Sequence, residues 1–246
     1  KMTLRTSDGV ERWGFDMYQE NGGNRWHWIW LNEGEILAQD RSRAMLDHPN
    51  TIEALGFASD MVNVFGVSPR PGALKGSSQG NFTNGLYGMM ISQGIFITKL
   101  QQAGKDFVTI PGPPGPGKRG YRFSGATSST MSIVSSTKHA DEAWQFIRFL
   151  MYENGVQFAN DRGGIPYLKK GLRSARFMKQ PWQALAESIL TFGSRNNYAA
   201  GVSESDWLPQ FQAAWNSALG GEAGAEWVLK QAQESINARL AELAGK

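Results

Sequence analysis

The chain has 246 residues, 41% of them hydrophobic and 19% charged, with a net charge of +3 and no cysteine. That length suits one large domain or two small ones with a substantial core, and the composition is that of a folded globular protein rather than a disordered one. The lack of cysteine excludes disulfides, zinc–thiolate sites and thiol nucleophiles and fits an exported bacterial protein; no apolar run approaches the ~20 residues a bilayer span needs.

Lys1-Met2 runs straight into polar TLRTSDG, so no signal peptide is expected. The opening segment predicts a helix tail, a turn at Asp8-Gly9, and a strand in which Trp13, Phe15 and Met17 alternate with Arg12, Gly14 and Asp16. RWHWIWLNEG fits either period, but Asn24 as a cap and Gly34 as a stop favour a short helix. Three of the nine tryptophans, Trp26, Trp28 and Trp30, fall within five residues there, and at least one is expected on a surface that meets a ligand. EIL and AML flank QDRSR as a small hairpin.

DHPNTIEALGFASDMVNVFG predicts a helix capped by Asn50 or Thr51, ended by Gly66, and burying Ile52, Leu55, Met61, Val62 and Phe65. YGMMIS and FVTIPGP are expected as strands, the first buried on both faces. PGPPGPGKRG marks a boundary between sub-domains. YRFSGATSSTMSIVS predicts two short strands, and HADEAWQFIRFLM a helix burying Ala140, Ala143, Trp144, Ile147 and Leu150. The rest is predicted helical, the last segment burying Val228, Leu229, Ala232, Ile236, Leu240 and Leu243. Early alternation of strands and helices argues for an α/β architecture.

Two motifs suggest catalysis and fail on physics. GPPGPGKR (112–119) approximates a phosphate-binding loop, but Pro113, Pro114 and Pro116 lack the N–H groups that cradle phosphate. GSSQG (76–80) matches a nucleophile elbow, with Asp106 and His139 following in hydrolase order; its loop-like flanks oppose the strand–turn–helix setting an elbow requires. His27, His48 and His139 have no metal-ligand spacing and are expected in surface or cap roles. The Glu33/Glu35 pair beside a turn gives no support for a glycosidase dyad.

The order SDGVERWGFD, HPNTIEALGFASDMVNVFGVSP, FTNGLYGMMISQGIF, IPGPPGP, SGATSSTMSIVSSTKHADEAWQFIRFL, GGIP and WNSALGGEAGAEWVLKQAQESINARL resembles the extracellular solute-binding proteins of ABC importers, in the sugar and glycerophosphodiester class. The resemblance implies a periplasmic-binding-protein-like (type II) α/β fold of two lobes, with the family's N-terminal portion lacking. On it, residues 1–118 and 169–246 belong to the C-terminal lobe and 119–168 cross into the N-terminal lobe. It implies a carbohydrate bound in the interlobe cleft without chemistry, no cofactor or metal, and a periplasmic or extracellular location. The expected partners are the permease subunits, and the missing N-terminal portion or a second copy of the chain. The implied ligand-binding residues are Trp26, Trp28, Trp30, Ser92, Gly94, Phe96, Ser124, Gly125, Gly164 and Arg195. Where the family often has Gly-x-Trp, this chain has Gly94-Ile95-Phe96, an aromatic plate without an indole donor. The alternative function is a serine hydrolase using Ser78, Asp106 and His139.

Overall fold

Leu4–Thr6 (β1) and Gly9–Arg12 (β2) pair antiparallel around Ser7-Asp8, so the start of the chain is a hairpin, not the helix tail expected. The computed structural model describes residues 2–17, 25–40, 42–118, 131–161, 164–166, 168–192 and 203–245. Among them β1–β2 is the only sheet. The helices are α1 (Arg25–Leu31), α2 (Pro49–Asn63), α3 (Ser78–Thr83), α4 (Ile95–Gln102), α5 (Ala140–Arg148), α6 (Gly155–Asp161), α7 (Lys169–Leu172), α8 (Gln183–Phe192), α9 (Leu208–Gly220) and α10 (Ala225–Ala244). A π-helical turn, Phe149–Glu153, follows α5, and a 3-10 turn, Glu204–Asp206, precedes α9.

The expected strands exist only as short pairings. Residue 13 bridges residue 87 in parallel, the Phe15 N–H donates to the Val67 carbonyl (3.1 Å), and the Asp16 N–H donates to that of Met89 (3.1 Å). YGMMIS is therefore no two-faced strand, since Tyr87 is buried while Met89 is exposed. Asp16, expected on the polar face, is fully buried. FVTIPGP is irregular, with Val108 and Ile110 at 77% and 74% exposure. A strand needs a ladder partner, and neither segment has a continuous one among the described residues. The EIL/AML expectation holds as a pair of antiparallel contacts, with Leu37 bridging Ala44 and the Met45 N–H donating to the Ile36 carbonyl (2.8 Å).

Contacts divide the chain into two compact units, Lys1–Ser92 with Gly112–Ala126 and Arg195–Lys246, and Gln93–Pro111 with Thr127–Ser194. This division does not follow the boundaries expected at 118 and 168.

In the first unit, α2 starts at Pro49, whose missing N–H costs nothing in a first turn. The cap is His48 rather than Asn50 or Thr51, with Nδ1 accepting from the Asn50 N–H (3.2 Å). Gly66 follows the helix at φ +56°, a left-handed position that glycine adopts without strain. α2 buries Thr51, Ala54, Leu55, Ala58 and Val62; Ile52 and Met61 are half-buried, and Phe65 stands 59% exposed past the helix end. The α10 stripe appears as predicted, with Leu243 half-buried at its end. α10 also grips the hairpin-like segment: Asn237 Oδ1 accepts from the Ala44 N–H (2.6 Å) and Gln233 Oε1 from that of Asp47 (3.0 Å). Arg239 holds Asp206 and Glu242, each at 3.0 Å. The Pro/Gly run packs here through the Gly115 N–H to the Leu31 carbonyl (3.0 Å) and Lys118 Nζ to Asn50 Oδ1 (3.0 Å).

The second unit has its own small core of Ile97, Leu172, Phe177, Trp182 and Ala186. Phe177 and Trp182 meet edge-to-face at 5.2 Å, and the Arg176 guanidinium lies over both rings while donating to Asn160 Oδ1 (2.6 Å). In this unit α5 departs from expectation, because neither it nor the π-turn after it contains a buried residue.

Candidate functional site

The tryptophan cluster is core. All seven residues of α1 are buried, with Trp26, Trp28 and Trp30 at 2%, 8% and 0% exposure, so the expectation of an exposed plate is overturned. A helix apolar around its whole circumference is enclosed on all sides. Trp26 packs on Trp30 (6.2 Å) and Trp207 (5.6 Å), and the aromatic chain continues through Phe211 (6.3 Å) to Trp215 (6.0 Å). Trp28 meets Phe15 edge-on at 5.5 Å and Phe57 at 5.8 Å. Three indoles within five residues mark a helix at the centre of an aromatic core.

His27, expected at the surface, is 9% exposed between two of those tryptophans. Burial penalises its charged form and lowers its pKa from 6.5 to about 4, so it is neutral at pH 7. The signal was present in the sequence, since a histidine inside WHWIW has no polar side to face. His48 caps α2, and His139 is exposed, with Nδ1 3.9 Å from Glu142 Oε1.

Ser92 closes the first unit, half-buried, its Oγ accepting from Gln79 Nε2 (3.2 Å). Gly94, Phe96 and Gly164 belong to the second. Gly94 is the N-cap of α4, and a Cβ there would lie 2.7 Å from Leu185 Cδ2 and 3.3 Å from Ile165 Cδ1. Gly94 is therefore brought beside Ile165, and a side chain there would have to displace the Leu185 methyl group. Gly94→Ala is expected to cost about 1–3 kcal/mol through overpacking, read as a lowered urea midpoint. Phe96 is 5% exposed, so it too is no accessible plate. Ser124, Gly125 and Arg195 lie outside the described residues.

The hydrolase constellation finds no setting. Ser78 lies in α3, 6% exposed, behind a cap at Ser77 and the irregular residues 73–76 rather than a strand. Asp106 and His139 fall in the other unit. Ester turnover is expected not to exceed the buffer rate, with no difference between the wild type and Ser78→Ala. Among the described residues no acidic, histidine or cysteine cluster could hold a metal, and no helix is long and apolar enough to cross a membrane.

The chain belongs to the bacterial extracellular solute-binding protein family, whose profile matches residues 6–185. It is similar in fold to the sugar-binding protein MalE of Xanthomonas citri, with TM-score 0.78 at 16% identity, covering 96% of this chain and 60% of that one. The cyclic alpha-maltosyl-1,6-maltose binding protein of Arthrobacter globiformis matches with TM-score 0.74 at 20% identity, covering 96% and 61%. UgpB of Mycobacterium tuberculosis, solved with glycerophosphocholine, matches with TM-score 0.73 at 17% identity, covering 96% and 60%. The chain thus spans about 60% of the length of these solved structures and shares their type II periplasmic-binding-protein-like fold. No curated protein sequence matches it.

Proposed function

We propose that the chain is part of the substrate-binding component of an ABC-type importer, taking a sugar or sugar-like solute in the interlobe cleft of the complete fold without chemistry. The observation that carries this reading is the family match over residues 6–185. Ser92 and the turns at Gly94 and Gly164 supply hydroxyl and backbone groups to ligand hydroxyls, and Ser124, Gly125 and Arg195 join them by the same resemblance. The buried Trp26, Trp28, Trp30 and Phe96 hold the fold instead of stacking on the ligand. Delivery to permease subunits follows at the periplasmic or extracellular face, by closure of two lobes around the solute. Equilibrium dialysis against maltose, maltotriose and glycerophosphocholine, with chromatography of the recovered ligand, tests this reading. The expected result is weak retention of one or more unchanged ligands; conversion of any of them overturns it.

The partner of the second unit follows from its surface. Trp144, Phe146, Phe149 and Tyr152 are 49–59% exposed, and Met131 and Ile133 stand out nearby in sequence at 40% and 37%. Apolar surface of this kind seeks cover. In a complete two-lobe fold the part that this chain does not span provides it, and in the isolated chain a second copy does. Sedimentation should give a concentration-dependent dimer that Trp144→Lys with Phe149→Lys returns to monomer. A wild type monomeric at about 100 μM would contradict this, since that concentration corresponds to only about −5.5 kcal/mol of association.

A further inference from the structure

We propose that the Pro/Gly run at residues 112–118 is an acid-released strap: seated on α1 it shuts His27 away from water, and protonation of that imidazole lifts it. Two glycines let the strap lie close. A Cβ at Gly112 would stand 3.1 Å from His27 Nε2 and 3.0 Å from Leu31 Cδ1, and one at Gly115 would overlap Asn32 Oδ1. The Gly115 N–H donates to the Leu31 carbonyl (3.0 Å), one of the helix-end acceptors that α1 cannot satisfy within itself. Farther on, Lys118 Nζ donates to Asn50 Oδ1 (3.0 Å). The seat is weak for its length, because Pro113, Pro114 and Pro116 have no N–H to give. A proline-rich backbone is stiff, so the run comes away as one piece. A segment held by few backbone bonds opens at a cost well below that of global unfolding.

Protonation supplies the force. Covered, His27 is neutral at pH 7, and its charged form must reach water to be stable. The charged groups on the elements packed against α1, and on the strap, are Asp16, Glu53, Asp60, Asp206 and Lys118, with Arg25 on α1 itself. Glu53 accepts from Asn32 Nδ2 (2.8 Å), Asp206 is held by Arg239 and Lys118 is engaged with Asn50; burial, not a neighbouring charge, holds the His27 pKa down. Beside His27 on α1 stand the buried Trp26 and Trp28, whereas Gly112 lies against Nε2 with no side chain of its own. Lifting the strap therefore wets the imidazole without melting α1. The open state binds the proton near pH 6.5 and the seated state only near 4, so opening grows as pH falls between those values.

The test is amide hydrogen exchange of the 246-residue chain, read by NMR at pH 7 and pH 5 and corrected for the intrinsic exchange rate. Protection of the Gly115 N–H is expected to fall about 20-fold between the two, from the shift in proton binding. It should not respond to urea up to roughly 1 M, because a local opening exposes little surface, whereas the Leu55 and Ile236 amides should lose protection steadily. Gly115→Ala, which crowds Asn32, is expected to unseat the strap and carry the His27 titration, followed by its ring C–H signals, from about 4 toward 6.5. If that variant does not fold, exchange in the wild type decides alone. Equal Gly115 protection at the two pH values, a urea slope matching that of Leu55, or a His27 titration still near 4 in Gly115→Ala would overturn the proposal.

Discussion

Trp30→Ala is expected to lower stability by about 3–5 kcal/mol, the range for deleting a fully buried large aromatic, against a net folding free energy of about 5–15 kcal/mol. Trp30 has no exposed surface and sits on α1 among the aromatics of the first unit. Urea unfolding checks this through a midpoint shifted far down, with Trp30→Phe losing much less. A tryptophan that served as a stacking plate would behave in the opposite way. Its removal would leave the midpoint in place and lower sugar affinity by an amount similar to or below the ~1–3 kcal/mol of aromatic stacking. An unshifted midpoint in Trp30→Ala would return α1 to the surface and restore the plate role.

Acid should weaken the fold through His27. In the unfolded chain this imidazole takes its proton near 6.5, whereas burial in the fold holds it to about 4. Between those values the unfolded state binds more protons, so stability is fully present above ~6.5 and falls as pH drops toward 4. At pH 4.5 the expected loss is on the order of 2 kcal/mol relative to pH 7. His27→Leu removes the titrating group, and its stability should change less over the same interval. Equal losses in both proteins would show that other groups carry the acid sensitivity.

The helical half of the fold was legible because long periodic segments declare their buried face. In α10, Val228, Leu229, Ala232, Ile236 and Leu240 were named from spacing alone and are the residues buried. The extended segments were less legible. Alternation at residues 13–17 suggested one polar face, yet Asp16 is as buried as Met17, because neighbouring segments cover both sides. α5 shows the reverse error. Its apolar stripe implied a core, but exposure depends on what packs there, and among the described residues nothing encloses it.

For the candidate site, the burial of the aromatics was not legible in the sequence. Gly94 proved to be glycine for a packing reason that brings it beside Ile165. Periodicity over five residues could not tell a ligand-facing row of tryptophans from a helix enclosed on all sides.

The proposed solute contacts are polar and glycine-turn groups, with Trp26, Trp28 and Trp30 held in the core. The most direct measurement is a maltotriose and glycerophosphocholine titration followed by NMR of assigned backbone amides and indole N–H groups. At least one ligand is predicted to move the signals of Ser92, Gly94 and Gly164 in the millimolar range, while the indoles of Trp26, Trp28 and Trp30 stay fixed. Indole shifts at those tryptophans, with Ser92, Gly94 and Gly164 unmoved, would contradict it.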